Sequence, residues 1–230
     1  MFFECSLLFA TVINAVVCWY SYYNKLLLLK TFSKPPVCLI LTVFTYEVLG
    51  LEYSPFLLGL ILSALGDTLL LSRNKVVFLT GSLSFLLAHV SYSYGFSQHL
   101  SLSNEISPLC YLTIVAPLLV TLALTFAQDK KMRLSNGFFT LIYMSFISTG
   151  LFNCSRTIGD ANWSLPAALL CFIGYAIFFV SDVLVCFAVM IYENKLISMT
   201  VITTYHIAQI AIVLGLVLNK HYDSLFPLLH

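Results

Sequence analysis

Two aspartates lie inside long apolar segments of the sequence, where an ionisable side chain is unusual. Asp67 lies within Leu62–Leu71, and Asp182 lies within Phe178–Leu184. An ionised group at the centre of a membrane helix costs from about 2.5 to more than 10 kcal/mol, so it needs a function or a partner. Two carboxyl groups in a low-dielectric site can keep one proton near neutral pH while the other group stays ionised. This pair is the first candidate for acid–base chemistry, and Glu47 is a third embedded carboxyl group.

Five further polar residues are embedded in apolar segments: His89, Tyr143, Tyr205, His206 and Gln209. At a rise of 1.5 Å per residue, Asp67 and Asp182 lie about 9 Å and 12 Å from the basic ends of their segments. Tyr143 and His206 lie about 13 Å from the same side, and Gln209 lies about 18 Å from it. We therefore expect four helices to carry polar groups at a similar depth, whereas Glu47 and His89 lie nearer the middle of the membrane.

The elements that position these residues must be membrane helices. Of the 230 residues, 60% are hydrophobic and only 9% are charged, against about 25% charged residues in a soluble domain. The net charge of +1 provides no basic surface for nucleic acid. The alternation of polar and apolar residues that a β-barrel requires is absent, so the composition predicts an all-α polytopic membrane protein.

Charges, prolines and polar clusters divide the chain into eight apolar windows of about 20 residues. We predict spans at roughly 3–23, 37–53, 55–72, 76–96, 107–127, 134–153, 165–190 and 197–218. The second and third spans are short and form a tight hairpin through Glu52–Pro55. No segment outside the spans is long enough to fold alone, so residues 1–230 should form a single domain, one bundle of eight transmembrane helices.

Two spans carry stripes of small residues at helical spacing. The third span has Gly59, Ser63 and Gly66 on one face, next to Asp67. The last span has a second stripe, formed by Thr204, Ala208, Ala211 and Gly215. Small residues let membrane helices approach closely, so both stripes predict tight helix–helix contacts.

Four ordered motifs resemble the signatures of the YhhN family, the lysoplasmalogenases. These motifs are Ser63–Leu70, the set Gly81, Phe85, Ala88, His89 and Tyr92, then Phe179–Leu184 and Thr204–Gln209. Lys34-Pro35 resembles the family's Lys-Pro sequence before the second span, and the similarity covers the chain from about Lys34 to Gly215. The last motif of the family usually has a second tyrosine where this chain has His206.

The resemblance implies an intramembrane hydrolase that cleaves the vinyl ether bond of lysoplasmalogens. The products would be a fatty aldehyde and glycerophosphoethanolamine or glycerophosphocholine. Vinyl ether hydrolysis needs an acid that protonates carbon and a carboxylate that stabilises the resulting oxocarbenium ion, as in glycosidases. We expect Asp67 and Asp182 to be this catalytic pair, without assigning which one is the acid.

The remaining site residues are expected to bind the substrate or to orient the aspartates and the water. Tyr143, Tyr205, His206 and Gln209 are the candidates for orientation, and His89 is a candidate second-layer partner. Lys34, which we place at the cytosolic mouth, is expected to meet the lipid phosphate.

Several alternatives stay open at this point. Asp67 and Asp182 also suit a structural hydrogen-bonding pair or an ion relay, and Lys34 also suits a charge that only fixes topology. The rival functions are a proton-coupled small-molecule transporter and a receptor-like lipid-binding membrane protein without catalysis. Against a carrier, the two halves of the chain show neither similarity nor matched broken helices.

The sequence predicts no cofactor and no metal, since it has neither a Cys-x-x-Cys pair nor a His-x-x-x-His sequence. The expected partner is a lysophospholipid with a vinyl ether chain, inside the membrane, and a homodimer is kept open. We expect an integral protein of the endoplasmic reticulum.

Orientation follows from the basic residues. Alternate loops hold nine of the eleven, and the opposite side holds only Arg156 and Lys220. The nine are Lys25, Lys30, Lys34, Arg73, Lys75, Lys130, Lys131, Arg133 and Lys195. Because basic loops face the cytosol, both termini should be lumenal.

This topology can be tested by protease protection in sealed microsomes. Tags at either terminus should survive the protease, whereas a tag inserted beside Lys130 should be digested. Detergent should expose all three tags, which controls for tags that resist cleavage. Digestion of the C-terminal tag in sealed vesicles would contradict the predicted orientation.

Overall fold

The computed structural model describes residues 2–72, 74–102, 106–127 and 133–225. Within these ranges the chain forms eight α-helices and no strand, which confirms the predicted class and the number of helices. The helices are α1 (Phe2–Tyr23), α2 (Leu27–Leu49), α3 (Ser54–Leu69), α4 (Lys75–Gln98), α5 (Pro108–Ala127), α6 (Arg133–Ser155), α7 (Leu165–Met190) and α8 (Lys195–Leu225). Arg73, Lys130 and Lys131, which contributed to the predicted orientation, lie outside the described residues.

Seven of the eight helices in the described ranges are long and apolar enough to cross a membrane, all except α3. This helix has 16 residues, about 24 Å at 1.5 Å per residue, against a hydrocarbon layer of about 30 Å. A short 3₁₀ turn, Leu51–Tyr53, precedes it, and Gly50 adopts a positive φ of 75° where α2 ends. The predicted hairpin between the second and third spans is therefore present.

The second helix begins at Leu27, whereas we predicted a start at residue 37 after the two prolines. Pro35 and Pro36 lie inside the helix. A proline removes one backbone donor and crowds the preceding turn, but neighbouring groups can satisfy the freed carbonyls in a membrane helix. Asn14 of α1 donates to the Ser33 carbonyl at 2.6 Å beside these prolines. As a result, Lys34 lies within a helix and not before it.

Seven helices close into a ring, and α5 lies outside it. Each helix of the ring contacts the next one in the order α1, α2, α3, α4, α6, α7 and α8, and α8 contacts α1. Helix α2 also contacts α8, whereas α5 packs mainly against α6. The seven helices of the ring surround the interior of the bundle, and α5 adds Leu124 to the buried core from outside the ring.

Both predicted stripes of small residues lie at tight helix contacts. A Cβ atom on Gly66 of α3 would lie 2.6 Å from the Phe85 ring of α4. A Cβ atom on Gly215 of α8 would lie 2.9 Å from the Cys171 backbone nitrogen of α7. At both positions, glycine lets the two helices approach more closely than any larger residue would.

Polar contacts join two segments of the chain at the end of the bundle where α4 and α6 end. The Asp160 carboxylate accepts from the Ser101 backbone N–H at 3.1 Å and from its hydroxyl at 2.8 Å. Trp163 Nε1 donates to the His99 carbonyl at 3.0 Å. These bonds connect the α6–α7 loop to the end of α4.

We expect Gly215→Ala to lower the free energy of unfolding by about 1–3 kcal/mol, the usual cost of overpacking. The clash involves backbone atoms of α7, which cannot move aside as a flexible side chain can. Alanine is the better helix former by about 1 kcal/mol, so any loss must come from packing. Thermal unfolding of the purified protein in detergent measures the effect. An unchanged or higher transition temperature would contradict it.

Candidate active site

A cavity of about 450 Å³ lies at the end of the bundle where α4 and α8 begin. Its wall includes Leu70 after α3, Lys75 at the start of α4 and Val189 near the end of α7. Much of the lining is apolar, with Phe78, Leu79, Phe85, Phe139, Val185 and Ile202 among its side chains. An apolar pocket with a few convergent polar groups is typical of a small-molecule site.

Five of the eight predicted site residues line this cavity: Lys34, Asp67, Tyr143, Asp182 and Tyr205. The two aspartates come from α3 and α7, which are far apart in sequence. The other three, His89, His206 and Gln209, do not line it. Glu47, the third embedded carboxyl group, is exposed on α2 and also lies away from the cavity.

Asp67 is fully buried and is bound from two sides. The Lys34 ammonium lies 3.0 Å from its Oδ1 atom as an ion pair. The Tyr205 hydroxyl donates to Oδ2 at 2.9 Å, and the Cys38 sulfur lies 3.1 Å from the same hydroxyl. Helices α2, α3 and α8 therefore meet at one carboxylate.

The structure changes the environment expected for Lys34. We expected this side chain at the mouth of the site, free to meet a phosphate. Its side chain is only 9% exposed and its ammonium group pairs with Asp67. The difference arises because α2 continues through Pro35 and Pro36, which draws Lys34 into the bundle.

Asp182 has a different set of partners. His89 Nε2 lies 2.8 Å from Asp182 Oδ2, and His89 Nδ1 lies 2.8 Å from the Tyr175 hydroxyl. Tyr143, on the cavity wall, also interacts with the Asp182 carboxyl group. A chain of three groups thus runs from the cavity through the histidine to a buried tyrosine, and no lysine or arginine is bonded to it among the described residues.

Tyr175 belongs to this hydrogen-bonded series of Asp182, His89 and Tyr175, and it was not predicted from the sequence. It precedes Asp182 by two helical turns on α7, so the two side chains lie on one helix face. Gly150 of α6 lies directly against the Tyr175 hydroxyl, and any side chain at that position would occupy the same space. The seven-residue spacing between Tyr175 and Asp182 was the feature of the sequence that could have indicated a shared helix face.

Gln209 lies behind the cavity wall and connects three helices. Its Oε1 atom accepts from the Tyr92 hydroxyl at 2.7 Å, and its Nε2 atom donates to Ser63 Oγ at 3.1 Å. Gln209 is fully buried. This arrangement fixes α8 relative to α3 and α4, the helices that carry Asp67 and His89.

His206 faces away from the cavity, towards α1. Its Nδ1 atom accepts a hydrogen bond from Trp19 Nε1 at 3.1 Å, and the two rings are stacked. The residue follows Tyr205 by one position, which rotates it by about 100° around α8. His206 was predicted at the same depth in the membrane as the other site residues, but its side chain points in a different direction around α8. In the structure, His206 contacts Trp19 of α1.

Five other polar residues of the cavity wall were not predicted as site residues. They are Tyr22, Lys75, Ser82, Ser181 and Cys186. Lys75 is exposed, so an ammonium group does lie at the edge of this cavity, although it is not that of Lys34. Among the described residues, no three His, Cys, Asp or Glu side chains are grouped as metal ligands.

Comparison with known proteins identifies one relationship. Residues 29–216 match the sequence model of the YhhN family. This range includes all eight predicted site residues and both helices that carry the aspartates. The chain matches no curated protein sequence and no solved structure.

The Lys34–Asp67 pair can be tested by a double-mutant cycle. Lys34→Met should lower the free energy of unfolding by about 3–5 kcal/mol, because it leaves a buried carboxylate without its counter-charge. Adding Asp67→Asn should recover most of this loss, since the double variant contains neither charge. Thermal unfolding in detergent measures all four proteins, and a Lys34→Met variant as stable as the parent would refute the pairing.

Proposed function

The chain belongs to the YhhN family, and we propose that it is an intramembrane hydrolase acting on the vinyl ether bond of lysoplasmalogens. The products are a fatty aldehyde and glycerophosphoethanolamine or glycerophosphocholine. The observation that carries this proposal is the placement of Asp67 and Asp182 on one largely apolar cavity with unlike partners.

Hydrolysis of a vinyl ether begins with transfer of a proton to the carbon atom one position beyond the carbon bonded to oxygen. This step converts the carbon–oxygen unit into an oxocarbenium ion. The reaction therefore needs a proton donor and a negative group near the developing cation, two roles that glycosidases also give to a pair of carboxyl groups. A largely apolar, low-dielectric cavity strengthens both interactions.

Asp67 is the carboxylate in this proposal. Its ion pair with Lys34 and its hydrogen bond from Tyr205 both stabilise the ionised form. Because the pair is held by three helices, its position does not depend on the substrate. Asp67 then stabilises the oxocarbenium ion without forming a covalent bond.

Asp182 is the acid. Its bonded partner is a histidine, which can be neutral, and not a fixed cation. A proton shared between Asp182 and His89 remains available for transfer, whereas the carboxylate of Asp67 is held by a lysine. His89 is also hydrogen-bonded to the Tyr175 hydroxyl. This second bond fixes the orientation of the His89 ring, and the ring in turn orients Asp182.

The steps balance with water as the only co-reactant. Asp182 donates its proton to carbon; the π electron pair of the double bond forms the new carbon–hydrogen bond, and a carbon–carbon single bond and the oxocarbenium ion remain. Water adds to the oxocarbenium carbon and returns a proton to Asp182. The resulting hemiacetal loses its glycerol oxygen as an alcohol, with proton transfer through Asp182, and leaves the aldehyde.

We also propose the cellular setting on the grounds given by the sequence. We place the protein in the membrane of the endoplasmic reticulum, and the distribution of its basic residues supports an orientation with both termini lumenal. The cavity then faces the cytosolic half of the bilayer. A homodimer stays a prediction, and nothing in the proposed mechanism requires a second copy.

The mechanism predicts that Asp67→Asn and Asp182→Asn each reduce turnover by about 10²-fold or more, in the range of general acid catalysis. The assay measures fatty aldehyde released from lysoplasmenyl-ethanolamine by the purified protein. The double variant should lose little more than either single variant, because residues that act as a unit are not additive.

Glu47→Gln is the matched control, since it makes the same chemical change at a carboxyl group outside the cavity. It should leave turnover unchanged. The saturated alkyl-ether analogue should not react with any variant, because it has no double bond to protonate. If both aspartate variants fold and release aldehyde at near-parental rates, the assigned roles are wrong.

A further inference from the structure

A second cavity of about 370 Å³ lies beside the first at the same end of the bundle, between the α1–α2 turn and the α7–α8 connection. Three lysines line it: Lys25, Lys30 and Lys195. Glu193 is the one carboxylate of its described lining. A cavity with three ammonium groups and one carboxylate favours a ligand that carries both a negative and a positive group. The negative group of such a ligand has more partners in the lining than the positive group has.

Two of the lysines are held in place without being neutralised. Lys30 Nζ lies 3.9 Å from the centre of the Tyr22 ring, and Lys195 Nζ lies 3.6 Å from that of Tyr23. An aromatic face attracts an ammonium group but leaves its positive charge intact. In the part of the chain that the structure describes, no salt bridge joins these lysines to Glu193, whose Oε1 atom accepts from the Ser198 hydroxyl at 3.2 Å.

The second cavity adjoins the candidate active site. Tyr22 lines both cavities, so one side chain separates the lysines from the space next to Asp67. In a lysophospholipid, only the three carbons of glycerol separate the ether oxygen from the phosphate ester. A molecule whose ether bond lies between Asp67 and Tyr22 can therefore place its headgroup at the boundary that Tyr22 forms.

We propose that the second cavity binds the zwitterionic phosphoethanolamine headgroup of the lipid. Lys30 and Lys195 bind the phosphate, to which lysine is suited as a compact charge, and Glu193 binds the ammonium group. The inference rests on the proposed function for the lipid class, but its evidence is the lining of a separate cavity. It assigns the phosphate to Lys30 and Lys195, which form no salt bridge within the described residues, and not to Lys34, which is paired with Asp67.

Binding of a non-reacting probe tests the inference apart from catalysis. The probe is 1-O-hexadecyl-glycero-3-phosphoethanolamine in maltoside micelles, which contain no phosphate, and the dissociation constant is measured by calorimetry. The double variant Lys30→Met/Lys195→Met should bind it at least about tenfold more weakly, the loss expected for charge-assisted hydrogen bonds. The same variant should bind 1-O-hexadecylglycerol, which lacks the headgroup, as the parent does.

Glu193→Gln tests the second half of the headgroup. It should weaken binding of the phosphoethanolamine probe but not of 1-O-hexadecylglycerol 3-phosphate, which has no amine. Lys220→Met is the matched control, because it removes the same charge at the opposite end of the bundle, where Lys220 donates to the Leu49 carbonyl at 2.8 Å. It should bind every probe as the parent does.

Three outcomes would overturn the inference. The first is unchanged binding of the phosphoethanolamine probe by the lysine variant, and the second is an equal loss of affinity for the probe without a headgroup. The third outcome is competition by diacyl phosphatidylethanolamine as strong as that by the lyso probe, which would assign the cavity to a bilayer lipid. If binding depends on the lysines but no aldehyde is released, the headgroup site is supported and the proposed hydrolysis is refuted. If aldehyde is released but binding does not depend on the lysines, the hydrolysis is supported and the headgroup site is refuted.

Discussion

A carboxylate buried among apolar helices is stable only if a positive charge and hydrogen-bond donors accompany it. In this protein the accompanying groups are Lys34 and Tyr205, and they reach Asp67 from two other helices. The requirement therefore fixes the relative positions of α2, α3 and α8. The requirement is met because α2 continues as a helix through Pro35 and Pro36, which places Lys34 inside the bundle.

The second carboxyl group meets the same requirement by different means. Asp182 is bonded to His89, and the histidine passes the interaction on to Tyr175. A lysine offers only donors and a fixed positive charge, whereas an imidazole ring offers two nitrogens that can donate or accept hydrogen bonds. The two aspartates on one cavity thus have different bonded partners. Unlike environments of this kind are the basis of the acid and carboxylate roles that we propose for them.

Much of the fold followed from the sequence because it depends on composition and local spacing. Apolar length predicted the eight helices, and the spacing of small residues predicted the contacts at Gly66 and Gly215. The aspartates were found because a charge in an apolar segment is conspicuous. Directions around a helix and contacts between distant helices were harder: His206 matched the others in depth but faces Trp19.

The same limitation applies to the partners of each aspartate. Nothing local in the sequence relates Lys34 to Asp67 or His89 to Asp182, because these contacts arise only when the ring of helices closes. Tyr175 shares a helix face with Asp182, yet an aromatic residue at that spacing more often indicates packing. Partner identity is therefore a property of the tertiary structure, although the residue types that need partners are visible in the sequence.

A buried phenylalanine keeps the two polar groups of the site distinct. The Phe178 ring packs against His89, with centroids 4.5 Å apart, and against Tyr205, with centroids 5.6 Å apart. It therefore contacts the partner of Asp182 on one side and the partner of Asp67 on the other. An apolar ring offers no hydrogen-bonded path for a proton between them. The lysine-bound carboxylate of Asp67 and the histidine-bound carboxyl group of Asp182 therefore stay in separate environments on one cavity. In the proposed mechanism, the substrate is the molecule that contacts both.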